Sequence, residues 1–158
     1  MYQLPWREVK EAIGSLLYLA IVSRPDLTFA ISYFSQALEE PTIKHWNMVK
    51  RILRYPRRTT ELGILYHSSS DGELEAFSDA DYAGDVSTRH STPEMIFKYF
   101  GGAIAWSNLK QRYVALSTTE AEFIAASEAS KELIWLTRLY SELNNSQSVA
   151  SGQSKRYD

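Results

Sequence analysis

The sequence predicts an α+β fold: a helical piece of roughly sixty residues, then a β meander, then one long helix. Three observations predict it. Apolar residues recur at helical spacing through "IKHWNMVKRILRY". From Leu62 onward, short runs rich in β-branched and aromatic residues alternate with turn residues. A continuous helical pattern then closes the series at "TTEAEFIAASEASKELIWLTRLYSEL".

The elements follow in order. "EAIGSLLYLAIV" is apolar on most sides and reads as a buried helix. "SRPDL" breaks it, with Pro25 suited to the first turn of the next helix, where its missing N–H costs nothing. In "DLTFAISYFSQAL", Leu27, Ala30, Ile31, Phe34 and Leu38 keep helical spacing, and Pro41 ends the segment. Thr42 is placed to cap a third helix with Trp46, Val49, Ile52 and Leu53 on its apolar side, and Pro56 is expected to stop it at Tyr55. "LGILYHSS" reads as a short strand and "SSDGE" as a turn. "LEAFSD", "MIFKYF" and "AIAWSN" read as three strands, the last two joined by Gly101 and Gly102, and "RYVALS" extends the β-rich part. The tail "NNSQSVASGQSKRYD" is polar and Ser-rich and reads as disordered.

Composition bounds the function. With 158 residues, 44% hydrophobic and 23% charged, the chain suits one globular domain of ordinary size, or one domain with an appended subdomain. The absence of cysteine excludes disulfides and thiolate zinc sites and fits an intracellular protein. "IGSLLYLAIV" is too short to span a bilayer, and the N-terminus does not read as a secretory leader. The net charge of −2 hides an uneven distribution. Lys44, Lys50, Arg51, Arg54, Arg57 and Arg58 form a basic stretch without an acid, and Asp71, Glu73, Glu75, Asp79, Asp81 and Asp85 follow as an acidic one. Such a pair can hold a polyanion and a divalent cation, or can be two solvated faces of opposite sign.

Two carboxylates stand out. "STTE" has the hydroxyl-to-glutamate spacing of a capping box, so Glu120 has a structural task. Glu122, at 100° per residue, is expected on the apolar stripe of Ala125, Ala126, Ala129, Leu133, Leu136, Tyr140 and Leu143. A carboxylate there is costly unless it reaches water at the rim or is paired over a cation, and Asp79 at a strand end is the candidate partner. An EF-hand starting at Asp79 is rejected, since Ala83 and His90 occupy its fifth and twelfth positions. His45, His67 and His90 are too dispersed for a histidine metal site or triad.

The run "AIGSLLYLA…RPDLTFAISYFSQ…PTIKHWNMVKRILRY…RRTTELGILY" resembles the end of the reverse transcriptase in copia-type LTR retrotransposon Pol polyproteins. The run "FSDADYAGD…TRHST…MIFKYFGGAIAWSNLKQRYVALSTTEAEFIAASEASKELIWL" is similar to the ribonuclease H domain that follows it. The resemblance covers roughly residues 11 to 143. It implies a thumb- or connection-like helical end over 1–62, a truncated ribonuclease H-like domain over 63–143 and a tail over 144–158. It also implies Asp79 and Glu122 as catalytic, metal-binding carboxylates, two Mg²⁺ ions, and hydrolysis of the RNA strand of an RNA–DNA hybrid. Lys50, Arg51, Arg54, Arg57 and Arg58 are the expected nucleic-acid contacts. The remaining partners are the other polyprotein domains, and the expected location is the cytoplasm or a virus-like particle, with no membrane.

The departures matter. No apolar strand ending in "DN" supplies a third aspartate, and Asp158 is not assigned to that role. Pro93 and Glu94 stand where the family has a serine–glycine pair, and Pro56 stands where it has an apolar residue. With two of four carboxylates, the expectation for this chain is weak or absent metal binding and cleavage. The alternative to a working nuclease segment is an inactive remnant that at most binds nucleic acid.

Overall fold

The computed structural model describes residues 6–35, 42–68, 72–85, 88–108, 110–111 and 113–153, with side chains as far as Asn144. The expectations that concerned Leu38, Pro41, Asp71 and Asp158 lie outside them. The order is helix α1 (Trp6–Val22), a 3₁₀ turn (Pro25–Leu27), α2 (Thr28–Ser35), α3 (Ile43–Arg58), strands β1 (Leu74–Asp81), β2 (Thr92–Tyr99) and β3 (Gly102–Asn108), and helix α4 (Thr118–Gln153). The mixed fold is therefore as read: helices, a three-stranded antiparallel meander in the order β1-β2-β3, and a long helix.

The helical unit closes on Val9, Ile13, Leu16 and Ala20 of α1, Leu27, Ile31 and Val49. The first helix is one-sided rather than buried all round: Tyr18, Ile21 and Val22 face solvent. Thr42 caps α3 by accepting from His45 N–H, while His45 Nδ1 accepts from the Thr42 amide. Pro56 does not end α3, which continues to Arg58. Proline removes one amide donor, but this near the C-terminus the last turn is held elsewhere. The Thr59 amide donates to the Pro56 carbonyl at 3.2 Å, and buried Arg24 donates to the Thr59 carbonyl and hydroxyl at 3.0 and 2.7 Å. Arg24 also grips Asp26 through Nε and Nη2 at 2.9 and 2.8 Å. That contact holds the Asp26 carboxyl below its ordinary range.

In the sheet, Asp79 pairs with Glu94, which pairs with Asn108. Phe77 pairs with Ile96, and Ile96 with Trp106. The β2–β3 turn is Phe100–Gly101, one residue earlier than read, with Tyr99 opposite Gly102 and positive φ at both loop residues. The register shifts after Phe97, leaving Ile104 as the extra residue of a bulge. "LGILYHSS" and "RYVALS" do not form strands among the described residues. The first meets the hairpin through the His67 amide on the Phe100 carbonyl at 2.8 Å and the Tyr66 hydroxyl on the Ala103 carbonyl at 2.8 Å. Such isolated bonds are not a ladder.

Helix α4 packs chiefly over β1 and β2, with Ala129, Leu133 and Leu136 on Leu74, Met95, Phe97 and Ala105. It continues to Gln153, ten residues past the end expected at Leu143. The polar composition after Leu143 lowers helix propensity but supplies no proline to stop the helix. The opposite face of the sheet meets the helical unit, where Trp106 Nε1–H donates to the Ala20 carbonyl at 2.8 Å. No described helix is long and apolar enough to cross a membrane.

Candidate functional site

Strand alternation decides where Asp79 points. Residues two apart share a face, so Asp79 lies with Phe77, Ile96, Glu94 and Trp106 on the side turned to the α1–α2 corner. Helix α4 occupies the other side, the side of Leu74, Met95 and Phe97. Its N-terminus does reach the Asp79 end of the sheet, because Gln111 bonds to the Ser91 carbonyl through its amide and to the Ala121 carbonyl through Nε2. Asp79 and Glu122 therefore share one end of the sheet but belong to opposite faces, with the strand backbone between them.

Glu122 also misses the expected stripe. The buried positions of α4 are Ala121, Ala125, Ala129 and Leu136, one step round the helix, and both Glu122 and Ala126 are exposed. The cost of burying a carboxylate, which motivated a metal there, does not arise. Asp79 is exposed too, and its Oδ1 accepts from the adjacent Ala80 amide at 2.8 Å. Among the described residues no three histidine or carboxylate side chains come together in a way that could hold a metal ion. Among the described residues, Asp79 and Glu122 are not brought together as a two-magnesium site would need.

The other acids have structural tasks. Glu120 accepts from the Leu116 amide at 2.7 Å while Ser117 Oγ accepts from the Glu120 amide at 3.1 Å, the expected cap with the glutamate reaching one residue further back. Asp81 is the last residue of β1, and its carboxylate folds over Gly84, where a Cβ would meet it. Asp85 closes the next loop by accepting from the Thr88 amide at 3.1 Å and pairing with Lys110. Glu94 lies in extended strand, where a residue other than glycine is accommodated without strain. Its Oε1 accepts from Asn108 Nδ2 at 2.7 Å.

The basic residues are better gathered than their sequence order suggested. At about 100° per residue, Lys44, Lys50, Arg51, Arg54, Arg57 and Arg58 fall within an arc of about 140° on α3. All six are exposed, and the buried Val49 lies on the far side. Lys50 sits over the Trp46 ring at 5.6 Å. None of the six takes part in an ion pair within the described residues. The helical angle of each cation, beyond its place in a stretch without an acid, is the sequence signal that carries this grouping.

Comparison with known proteins adds the lineage. The chain is 48% identical over 132 residues, 84% of its length, to the retrovirus-related Pol polyprotein from transposon TNT 1-94 of Nicotiana tabacum. It is 42% identical over 136 residues, 86% of its length, to that from transposon RE2 of Arabidopsis thaliana. The chain belongs to the copia-type retrotransposon Pol family. It spans 10% and 9% of those two polyproteins. It is also 45% identical over 126 residues to a protein named secreted RxLR effector protein 161 of Plasmopara viticola, matching 80% of this chain and 89% of that one. No family model matches the chain, and no solved structure matches it. The copia-type membership bears out the resemblance read from the motifs, and the geometry above describes one segment of such a polyprotein.

Proposed function

We propose that this segment is the junction of a copia-type Pol polyprotein, the helical end of the reverse transcriptase joined to a ribonuclease H-derived sheet and helix. On its own it binds nucleic acid and does not cleave it. In the parent protein the reaction expected of this region is hydrolysis of the RNA strand of an RNA–DNA hybrid. The observation that carries the non-cleaving reading is the strand alternation that sets Asp79 and Glu122 on opposite faces of the sheet.

Binding rests on the cationic arc of α3. Unpaired guanidinium and ammonium groups on one helix face can follow a phosphate backbone, while their own helix is anchored through Val49. Recognition of this kind reads charge and duplex shape rather than base edges, which suits an RNA–DNA hybrid without sequence preference. Fluorescence anisotropy with a labelled hybrid tests it. Affinity is expected to fall steeply with salt, and Arg51→Gln with Arg54→Gln should lower the log–log salt slope by about 1 per residue. Salt-independent binding, or an unchanged slope in the double variant, would overturn the assignment of α3.

A further inference from the structure

Beside the C-terminal half of α3 lies a cleft of about 260 Å³, walled by Pro25, Tyr55, Leu62 and Ile64, with Arg24 and Asp26 as its charged groups. Its volume falls short of the roughly 300 Å³ at which pockets for whole small molecules begin. It suits one flat ring of a ligand that is held elsewhere. Tyr55 links this cleft to the cationic arc. Arg51 precedes it by four residues and Arg58 follows it by three, the two spacings that make neighbours on a helix surface. The ring therefore stands in a row of exposed arginines, and Tyr55 is itself 42% exposed. It is also held in place. The guanidinium of buried Arg24 lies 5.4 Å from its centroid, and the Asp26 carboxyl, lowered by Arg24, is lowered further by the Tyr55 hydroxyl. Leu62 is exposed as well, so the cleft opens to solvent through apolar groups.

We infer that this cleft takes one unpaired base of a nucleic-acid strand whose phosphates lie on α3. The inference rests on the nucleic-acid reading of α3 and names what that surface binds beyond a phosphate backbone. A strand held by Arg51 and Arg58 runs past Tyr55 between them. A base freed from its pair has a flat apolar face and a hydrogen-bonding rim. The aromatic ring and the aliphatic walls match the face. Asp26 matches the rim: it is 36% exposed, its charge is balanced by Arg24, and a carboxylate keeps lone pairs beyond the two that Arg24 uses. A paired base cannot enter, because its neighbours cover its faces and its partner covers its rim. The preferred ligand is therefore a hybrid with a single-stranded overhang rather than a blunt one. A free apolar molecule is the poorer occupant, since it leaves the arginines beside the cleft without an anion.

The test is fluorescence anisotropy of the intact chain with two labelled hybrids that differ only in a short overhang, one carrying its bases and one abasic. Both overhangs keep their phosphates, so α3 meets the same charge. The base-bearing overhang is expected to bind roughly tenfold more tightly, the gain from stacking one base on an aromatic side chain. Tyr55→Leu should bring the ratio of the two affinities close to one. Leu62→Ser should lower it to roughly threefold through lost apolar contact. Reading the ratio cancels any general weakening, and exposed Leu62 keeps the test alive if Tyr55→Leu fails to fold. A fluorescent purine analogue in the overhang should be quenched by the parent chain and not by Tyr55→Leu. Equal affinity for the two overhangs, or a ratio unchanged in both variants, would overturn the proposal while leaving salt-dependent binding, and so the reading of α3, in place. Absence of salt-dependent binding of either hybrid by the parent chain would overturn the reading of α3, and this proposal with it.

Discussion

Arg24→Met removes the cation that ties the α1–α2 corner to the end of α3. The Arg24 side chain is 8% exposed, and its guanidinium makes two bonds to Asp26, two to Thr59 and a face contact with Tyr55 at 5.4 Å. The two bonds to Thr59 come from a charged donor and contribute about 1.5 kcal/mol each. The bidentate pair with Asp26 would be stronger if buried, but that carboxylate is 36% exposed, which holds its share to about 1 kcal/mol. Methionine fills much of the volume and avoids the desolvation of a guanidinium, which offsets roughly 1 kcal/mol. The expected loss is therefore about 3 kcal/mol, read as a lower urea midpoint at unchanged slope in circular dichroism. Acid supplies a second arm. The Arg24 guanidinium lowers the Asp26 pKa below its ordinary 3.8. The stability this confers is present above that value and is lost as pH falls through the depressed folded pKa. The gap between parent and variant should narrow below pH 4. A loss under about 1 kcal/mol, or a gap that widens in acid, would refute the reasoning.

Three further outcomes are expected. Ala121→Glu should destabilise the chain by several kcal/mol because Ala121 is fully buried, whereas Glu122→Ala should stay within about 0.5 kcal/mol; urea melts of both variants check the phase of α4. The Tyr99–Tyr140 contact, with ring centroids at 5.1 Å, raises Tyr99 to about 12 through its hydrogen bond with Tyr140 and lowers Tyr140 through the same bond. An ultraviolet tyrosinate titration should show one late ionisation that Tyr140→Phe removes. The Tyr99 share of stability is full below pH 10 and lost as pH rises toward 12. Gly84→Ala should cost no more than about 0.5 kcal/mol, because the added Cβ meets only the exposed Asp81 carboxylate, which can turn aside, and a thermal midpoint close to that of the parent would record it.

Much of this architecture was legible because its signals are local. Runs of β-branched and aromatic residues between turn residues marked "LEAFSD", "MIFKYF" and "AIAWSN", and the Thr42 and Ser117 hydroxyls marked two helix starts. What stayed hidden depends on distant partners. "LGILYHSS" has strand composition, yet among the described residues no strand offers it a ladder. Pro56 reads as a stop, but Arg24, far away in sequence, grips the turn that follows it. The phase of α4 was misjudged because Ala125 and Ala129 fit two stripes equally well. The large residues Leu133, Leu136 and Tyr140 tolerate either, and the packing of α4 on the sheet, not local periodicity, selects one. That one-step difference took Glu122 off the stripe. Asp79 was rightly seen near the strand end, but a sequence does not say which face of a sheet will carry the long helix.

The most direct test is a cleavage assay on a labelled RNA–DNA hybrid in the presence of Mg²⁺, run on the parent chain, Asp79→Asn and Glu122→Gln. With the two carboxylates on opposite sheet faces, all three proteins should bind the hybrid in a salt-dependent way and leave its RNA strand intact. Cleavage by the parent chain that both substitutions abolish would contradict the account.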